Sequence, residues 1–281
     1  MKSVVITGVS TGIGWGTAKV LLGHGFRVFG SVRKRVDAHR LQDEFGSNFT
    51  PLLFDVADEA AVHGAAREVR AALNGETLSG LVNNAGVAVL GPALELPIAE
   101  YRRQMEVNVI GQIIATQAFA PLLGADRSLR GAPGRIVMMS SVSGQNGNPM
   151  LSPYCTSKFA LEGFSESIRR EFMAYGIDVV VIGLGAVKTP IWSKAEDVDI
   201  SVYKNSPLFP ALERMRKYML KLGESGLPAE TIGELVHTAL TSARPRVRYV
   251  ISTEPVQLFI GKFLPKRFVD RIIAKSLGLV S

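Results

Sequence analysis

Tyr154 and Lys158 stand four residues apart in the stretch Tyr154-Cys155-Thr156-Ser157-Lys158. On a helix that spacing puts both side chains on one face, one turn apart. A free phenol ionises at about pH 10, too high for a base at neutral pH, and a fixed ammonium beside it favours the phenolate and draws that value down. Ser141 follows the apolar run Arg135-Ile136-Val137-Met138-Met139 and ends it as a strand. A hydroxyl there can hold a carbonyl or alcohol oxygen beside the phenol, so the trio reads as a device for moving a proton at an oxygen. Cys155 adjoins the tyrosine, but no His or Asn is placed to make it a nucleophile, and it reads as a small helix residue.

Such a device needs a partner reagent, and the start of the chain offers a place for one. Val4-Val5-Ile6 reads as a buried parallel strand running into Thr7-Gly8-Val9-Ser10-Thr11-Gly12-Ile13-Gly14, with a helix from about residue 12 to 22. Glycines there let the backbone turn tightly beside a pyrophosphate, whose charge the free N–H groups of the helix N-terminus attract. The spacing is Gly-x-x-x-Gly-x-Gly. Each motif alone is modest; the glycine turn and Tyr-x-x-x-Lys together are specific.

Residues 26–32 form the second strand. Where an acid would grip adenosine ribose hydroxyls, this chain has Ser31, followed by Val32-Arg33-Lys34-Arg35. A carboxylate repels a 2′-phosphate and an arginine fork binds it, so the pattern points to NADP(H) ahead of NAD(H), with Arg33 the best-placed residue.

The elements between these sites alternate. Residues 37–45 read as a helix, 50–54 as a third strand ending at Asp55-Val56, 58–73 as an amphipathic helix and 79–83 as a fourth strand running into Asn83-Asn84-Ala85-Gly86. Asp55 either reaches an adenine amino group or belongs with Asp58 to a helix cap. Asn84 reads equally as structural support and as a ligand contact. A long helical periodicity covers 101–123, with Asn108 inside its apolar stretch: either a local kink that frees a carbonyl, or an amide satisfied in the core. The Tyr154 helix runs to about 175, residues 178–184 form strand six, 228–242 a helix and 247–251 a seventh strand. Between 191 and 227 the pattern degrades into an apolar-rich excursion containing Trp192, Pro207 and Pro210, read as a lid over an oily substrate or as a helical insert packed on the core. In the tail, Phe268, Val269, Ile272, Ile273 and Leu277 share one face and Lys266, Arg267, Arg271 and Lys275 the other. Such a helix rests on a membrane surface, docks on its own domain, or docks on a sister subunit. The expected organisation is one domain over 1–254, with 191–227 as the lid, and a basic extension over 255–281.

With 281 residues, 47% of them apolar and 20% charged, the chain is long and oily enough for one well-buried core. The net charge of +7 suits a phosphorylated cofactor; no aromatic-interleaved basic stripe argues for nucleic acid. A single cysteine excludes an intrachain disulfide. No leader precedes the first strand and no run of 18 apolar uncharged residues occurs, so a cytoplasmic protein is expected, with peripheral membrane contact left open.

Thr7–Gly14, Asn83–Gly86, Asn108, Ser141 and Tyr154-x-x-x-Lys158 fall in the order and at the spacings of the short-chain dehydrogenase/reductase family, which the chain resembles over about residues 3–190, with the strand–helix rhythm continuing to about 251. The resemblance implies an α/β fold: a doubly wound, Rossmann-type, seven-stranded parallel sheet between helix layers, with the site beyond the carboxyl ends of the strands. It implies that Gly8, Ser10, Thr11, Gly12, Ile13 and Gly14 hold the pyrophosphate end of the cofactor and that Asp55 and Val56 hold the adenine. It further implies that Asn83, Ala85 and Gly86 line the ribose path, and that Gly185, Val187 and Thr189 flank the nicotinamide. The family's usual Pro-Gly is here Leu184-Gly185, a local departure in the loop. Ser141 and Tyr154 act on the substrate oxygen, Lys158 binds ribose hydroxyls, and Asn108 lends its carbonyl to a proton relay. Ser143 and Trp192 join the substrate site. The expected activity is an NADP(H)-preferring oxidoreductase on an apolar secondary alcohol or ketone, in a homodimer or homotetramer. The alternatives are an NAD-dependent alcohol dehydrogenase and a non-catalytic cofactor-binding sensor or scaffold.

Overall fold

Among the described residues seven short apolar runs become parallel strands, and helices between them return to cover the sheet. The structure, a computed structural model, describes residues 1–190, 199–253 and 263–280. The strands are β1 (Ser3–Ile6), β2 (Arg27–Val32), β3 (Phe49–Leu53), β4 (Gly80–Asn83), β5 (Arg135–Ser141), β6 (Asp178–Leu184) and β7 (Arg248–Ile251), in the order β3-β2-β1-β4-β5-β6-β7. The order reverses between β1 and β4, and a crevice opens at such a switch point beyond the strand ends.

Alternation along each strand fills two cores. Val4 and Ile6 face one layer and Val5 the other. On the first side pack α1 (Gly12–Gly23), α2 (Arg35–Phe45) and α8 (Ala229–Thr241), through Leu21, Leu41 and Val236. On the second lie α3 (Glu59–Ala72), α5 (Gly111–Phe119) and α6 (Ser152–Glu171), through Val62, Phe119 and Leu161. Between α4 (Ile98–Met105) and α5 the chain makes a π-helical turn, Glu106–Ile110, so the long predicted helix is continuous in direction but widened around Asn108.

The stretch expected to be irregular contains α7 (Phe209–Glu224). Pro210 occupies the first turn, where a missing N–H costs nothing. Ala211, Leu212 and Met215 are buried. The helical-insert reading therefore describes 209–224, while 191–198, including Trp192, lie outside the described residues.

The tail forms α9 (Lys266–Leu277), and its apolar face divides. Leu277 is buried and Ile273 partly so, in a small cluster with Leu212 and Met215, and Arg214 donates to the Leu277 carbonyl at 2.5 Å. Phe268 and Ile272 face outward, 52% and 50% exposed. One edge of the helix thus docks on its own domain and the other meets solvent. Among the described residues no helix is long and apolar enough to cross a membrane.

Candidate active site

The parallel strands deliver their carboxyl ends to one edge, and side-chain contacts tie the loops there together. Gly8 and Gly12 adopt φ +73° and +63°, the left-handed region that glycine enters without strain. Gly14 permits a close approach: a Cβ there would lie 2.2 Å from the Gly8 carbonyl oxygen and 2.6 Å from Asn84 Nδ2. Thr11, at the N-cap of α1, makes no capping hydrogen bond, and the first turn carries no acid. The α1 N–H groups therefore keep their attraction for an anion. Ser10, Thr11 and Gly12 line a surface cavity of about 640 Å³ with Arg40, whose guanidinium donates to the Ser10 carbonyl at 2.6 Å.

The residues expected on the cofactor path divide into groups that face the crevice and groups that build its walls. Arg33 is 67% exposed and lies 3.6 Å from Asp55, a weak surface pair that leaves the guanidinium accessible. Asp55 also accepts from the Ala57 N–H at 3.1 Å, while Asp58 caps α3 by accepting from Ala61 at 3.0 Å. Ala85 abuts Gly8, and Thr189 abuts Gly12. Ser31 is expected at the ribose, but it is buried and its hydroxyl accepts from the Gly8 N–H at 2.8 Å, holding the glycine turn from beneath. Asn83 is likewise expected to line the ribose path; it is buried, and its amide donates to Thr116 at 2.9 Å, fastening β4 to α5. Asn84 donates to the Thr7 and Gly8 carbonyls at 2.8 and 3.0 Å, the supporting role. Val56 is buried where α5 begins, at Gly111. Val187 is buried and bridges to Leu227, and Gly185 packs under Ser252.

A ladder of buried amides then sets the segment after Asn83. Gln104 accepts from the Val89 N–H at 2.8 Å and donates to the Val87 carbonyl at 2.7 Å. Asn108 accepts from the Val87 N–H at 2.8 Å and donates to its carbonyl at 3.0 Å, and Gln112 donates to the Ala85 carbonyl. Four residues of helix rise about 6 Å, close to the rise of two residues of extended chain. Amides four apart on the helix therefore meet backbone groups two apart on the segment. A purely α-helical i,i+4 row drifts around the axis; the π turn takes more residues per revolution and straightens it. Asn108 also donates to Ser157 at 3.1 Å, so both readings of this residue hold: a widened helix and a satisfied amide. The pattern Gln-x-x-x-Asn-x-x-x-Gln in an apolar helix was the sequence signal for Gln104 and Gln112, neither of them singled out from the sequence.

Ser141 ends β5, donates to the Leu184 carbonyl at 3.3 Å and accepts from the Ser143 N–H at 3.1 Å. The Ser141 hydroxyl lies close enough to the Tyr154 phenol to favour its ionised form. Ser143 is buried, with its hydroxyl taking a bond from Asn148 at 3.0 Å. Lys158, one turn along α6, is buried and donates to the Met139 carbonyl at 2.7 Å, its ammonium 5.8 Å from the centre of the Tyr154 ring. The ionisation differs from the sequence expectation. Burial pushes the Tyr154 phenol above its ordinary value, outweighing the nearby Ser141 hydroxyl, which favours the phenolate. Burial also lowers Lys158 to about 8, against the opposing pull of the Glu162 charge. Cys155 is buried with its thiol pKa raised by that burial, as suits an inert helix residue. A cavity of about 610 Å³ against α9 is lined by Cys155, Thr156 and Phe159, the face of α6 opposite Tyr154 and Lys158. A phenol, a hydroxyl and an ammonium thus meet at the strand ends, where they can hold an oxygen and transfer a proton to or from it.

A family model described as short chain dehydrogenase matches residues 2–199. The chain is 37% identical over 278 residues to the NADPH-dependent 3-dehydrocapnine reductase of Ornithobacterium rhinotracheale, covering 99% of this chain and 98% of that protein. It is 32% identical over 288 residues to human retinol dehydrogenase 5, covering 96% and 87% of the two. Among solved structures, a short-chain dehydrogenase from Streptomyces avermitilis superposes with a TM-score of 0.76 at 22% identity, over 98% of this chain and 94% of that one. The closed form of serine dehydrogenase complexed with NADP+ also gives 0.76, at 21% identity over 91% and 95%.

Proposed function

The chain belongs to the short-chain dehydrogenase family, and from that premise we propose that it is an NADP(H)-preferring oxidoreductase that interconverts an apolar ketone and its secondary alcohol, with Tyr154 as the acid and base. The observation that carries the reading is the convergence of the Ser141 hydroxyl, at the end of β5, and the buried Tyr154 phenol, with the Lys158 ammonium 5.8 Å from the tyrosine ring, at the strand ends beside the glycine turn.

The residues fit the dinucleotide. The uncapped, acid-free start of α1 suits its pyrophosphate, and accessible Arg33, where the family can carry an acid, suits a 2′-phosphate. The name of the 37% identical reductase supports NADPH. When bound, NADPH supplies a hydride to the carbonyl carbon. Ser141 donates a hydrogen bond to the carbonyl oxygen, and Tyr154 gives that oxygen its proton. Burial keeps the phenol protonated at neutral pH, the state reduction requires. The Lys158 charge stabilises the phenolate left behind; for an alcohol the steps reverse, with the phenolate taking the hydroxyl proton as the hydride leaves the carbon for the oxidised nucleotide. A positioned acid of this kind contributes roughly 10²–10⁴-fold. Asn108 holds Ser157, and Ser157 bonds to the Tyr154 carbonyl at 2.8 Å, so the amide ladder also steadies the tyrosine.

Leu90, Met150, Leu151 and Met215 form the apolar cluster against which Tyr154 packs, which supports an oily substrate. The name of one similar protein, a retinol dehydrogenase, supports the same class, since retinol is an apolar alcohol. The setting we propose is cytoplasmic and oligomeric. Phe268 and Ile272, flanked by Lys266, Arg267, Arg271 and Lys275, support a peripheral contact of α9 with an anionic membrane.

The test is oxidation of NADPH and NADH, in parallel, against ketones and aldehydes of rising chain length. The expected result is turnover that improves with apolar length and favours NADPH. No consumption of either nucleotide, or a preference for NADH, overturns the reading.

A further inference from the structure

We propose that Glu162 and Arg248 are positioning residues for the proposed reaction: their ion pair clamps the end of β5 beneath Ser141 and sets the electric field at Lys158. This inference rests on the reading of Tyr154, Ser141 and Lys158 given above.

The two residues are 86 positions apart and meet in a partly buried slot, their side chains 17% and 18% exposed. Arg248, on the edge strand β7, donates through Nη2 to Glu162 Oε1 at 3.0 Å and through Nε to Oε2 at 3.1 Å. That two-pronged geometry fixes both planes. Glu162 Oε1 also accepts the Ser140 hydroxyl at 2.6 Å, and Arg248 Nη2 reaches the Ser141 carbonyl at 3.5 Å. The pair therefore grips the residue before Ser141 by its side chain and Ser141 itself by its backbone.

Two glycines leave the room this requires. A Cβ at Gly183 on β6 would lie 2.3 Å from Arg248 Nη2. One at Gly144 would lie 2.8 Å from Ser140 Oγ and 3.1 Å from Glu162 Oε1. Apolar residues of similar volume often match a buried ion pair in stability, so stability alone does not require a charged pair here.

Glu162 lies four residues beyond Lys158 on α6, hence on the same face. Around the Lys158 ammonium, among the described residues, stand Tyr154 and Glu162 from α6 and the Met139 carbonyl from β5, with Arg248 behind Glu162 from β7. Glu162 supports the charged form of Lys158, and on this proposal Arg248, whose positive charge is bonded to Glu162, has the opposing effect. The partners thus act on the lysine with opposite signs, while Glu162 holds Ser140 and Arg248 reaches the Ser141 carbonyl.

This opposition separates positioning from simple stability. The measurement is kcat/KM for the ketone against pH at saturating NADPH, in wild type, Glu162→Gln and Arg248→Met, with melting temperatures alongside. Both substitutions lower the melting temperature. Glu162→Gln moves the alkaline limb of reduction to lower pH by about one unit, because Lys158 loses its anion. Arg248→Met moves it to higher pH, because Glu162 is left unopposed. Arg248→Lys, which keeps the charge, holds the limb at its wild-type position, and Arg248→Gln, which also removes the charge and moves the limb to higher pH, serves in place of Arg248→Met where that variant fails to fold. Limbs that move in the same direction, stay fixed in both charge variants, or shift in Arg248→Lys overturn the proposal. Failure of the underlying reading is distinct: there Tyr154→Phe itself retains turnover.

Discussion

Replacing Gly14 by alanine places a methyl group in the tightest contact of the glycine turn. The new Cβ would lie 2.2 Å from the Gly8 carbonyl oxygen, 2.9 Å from its carbon and 2.6 Å from Asn84 Nδ2. Two of those atoms are backbone, and the third belongs to a side chain pinned by the Thr7 and Gly8 carbonyls, so none swings aside freely. Overpacking of this kind costs about 1–3 kcal/mol. Each Asn84 hydrogen bond broken in relieving it adds about 1 kcal/mol. At 2–4 °C per kcal/mol for a domain approaching this size, the melting temperature falls by about 5–15 °C. The larger effect is on NADPH. The Gly8 carbonyl must move by roughly an ångström, and a misplacement of that size in a positioned group costs about 10²-fold. Gly23 is the control in the same helix: a Cβ there meets nothing within 4 Å and its φ is not positive, so Gly23→Ala is neutral or stabilises by about 0.5–1 kcal/mol. The assays are NADPH affinity by quenching of protein fluorescence and melting by circular dichroism. A Gly14→Ala variant that melts and binds NADPH like wild type, or a Gly23→Ala variant that is equally damaged, refutes the reasoning.

Arg33→Ala raises KM for NADPH by about 10–100-fold and leaves that for NADH nearly unchanged, the loss expected for a charge-assisted hydrogen bond to phosphate; equal effects on the two cofactors contradict the role given to Arg33. Gln104→Leu leaves the Val89 N–H and one bond to the Val87 carbonyl unmade in a buried site, which costs about 1–3 kcal/mol in urea unfolding and lowers kcat; unchanged unfolding would dissolve the amide ladder. Phe268→Ser with Ile272→Ser abolishes sedimentation with anionic vesicles and leaves ketone reduction of a soluble substrate intact, since both residues face solvent; vesicle binding that survives both changes rules out this edge of α9 as the contact.

The parts of the molecule legible in the sequence are those where the signal is local. The apolar runs at 4–6 and 135–139 announce strands, the glycines announce the turn between β1 and α1, and Tyr154-x-x-x-Lys158 announces a shared helix face. What was not legible depends on residues distant in sequence. Glu162 and Arg248 each look like a solvated charge until β7 is laid beside β6. Ser31 and Asn83 sit where a ligand contact is expected, but the hydrogen-bonding needs of Gly8 and α5 claim their polar atoms. The tyrosine's ionisation turns on burial, which no spacing reports, and burial reverses the direction expected from Lys158 alone. At α7 the position of Pro210 in the first turn decides its effect, which composition does not report, and the tail's apolar face divided because only Ile273 and Leu277 meet the Leu212 and Met215 cluster.

The central claim is that the Tyr154 phenol delivers the proton while Ser141 holds the oxygen. Single-turnover oxidation of NADPH by a long-chain ketone, compared between wild type and Tyr154→Phe, tests it most directly. The account predicts that the phenylalanine variant binds NADPH with wild-type affinity and consumes it at least 10²-fold more slowly. Consumption at the wild-type rate would contradict it.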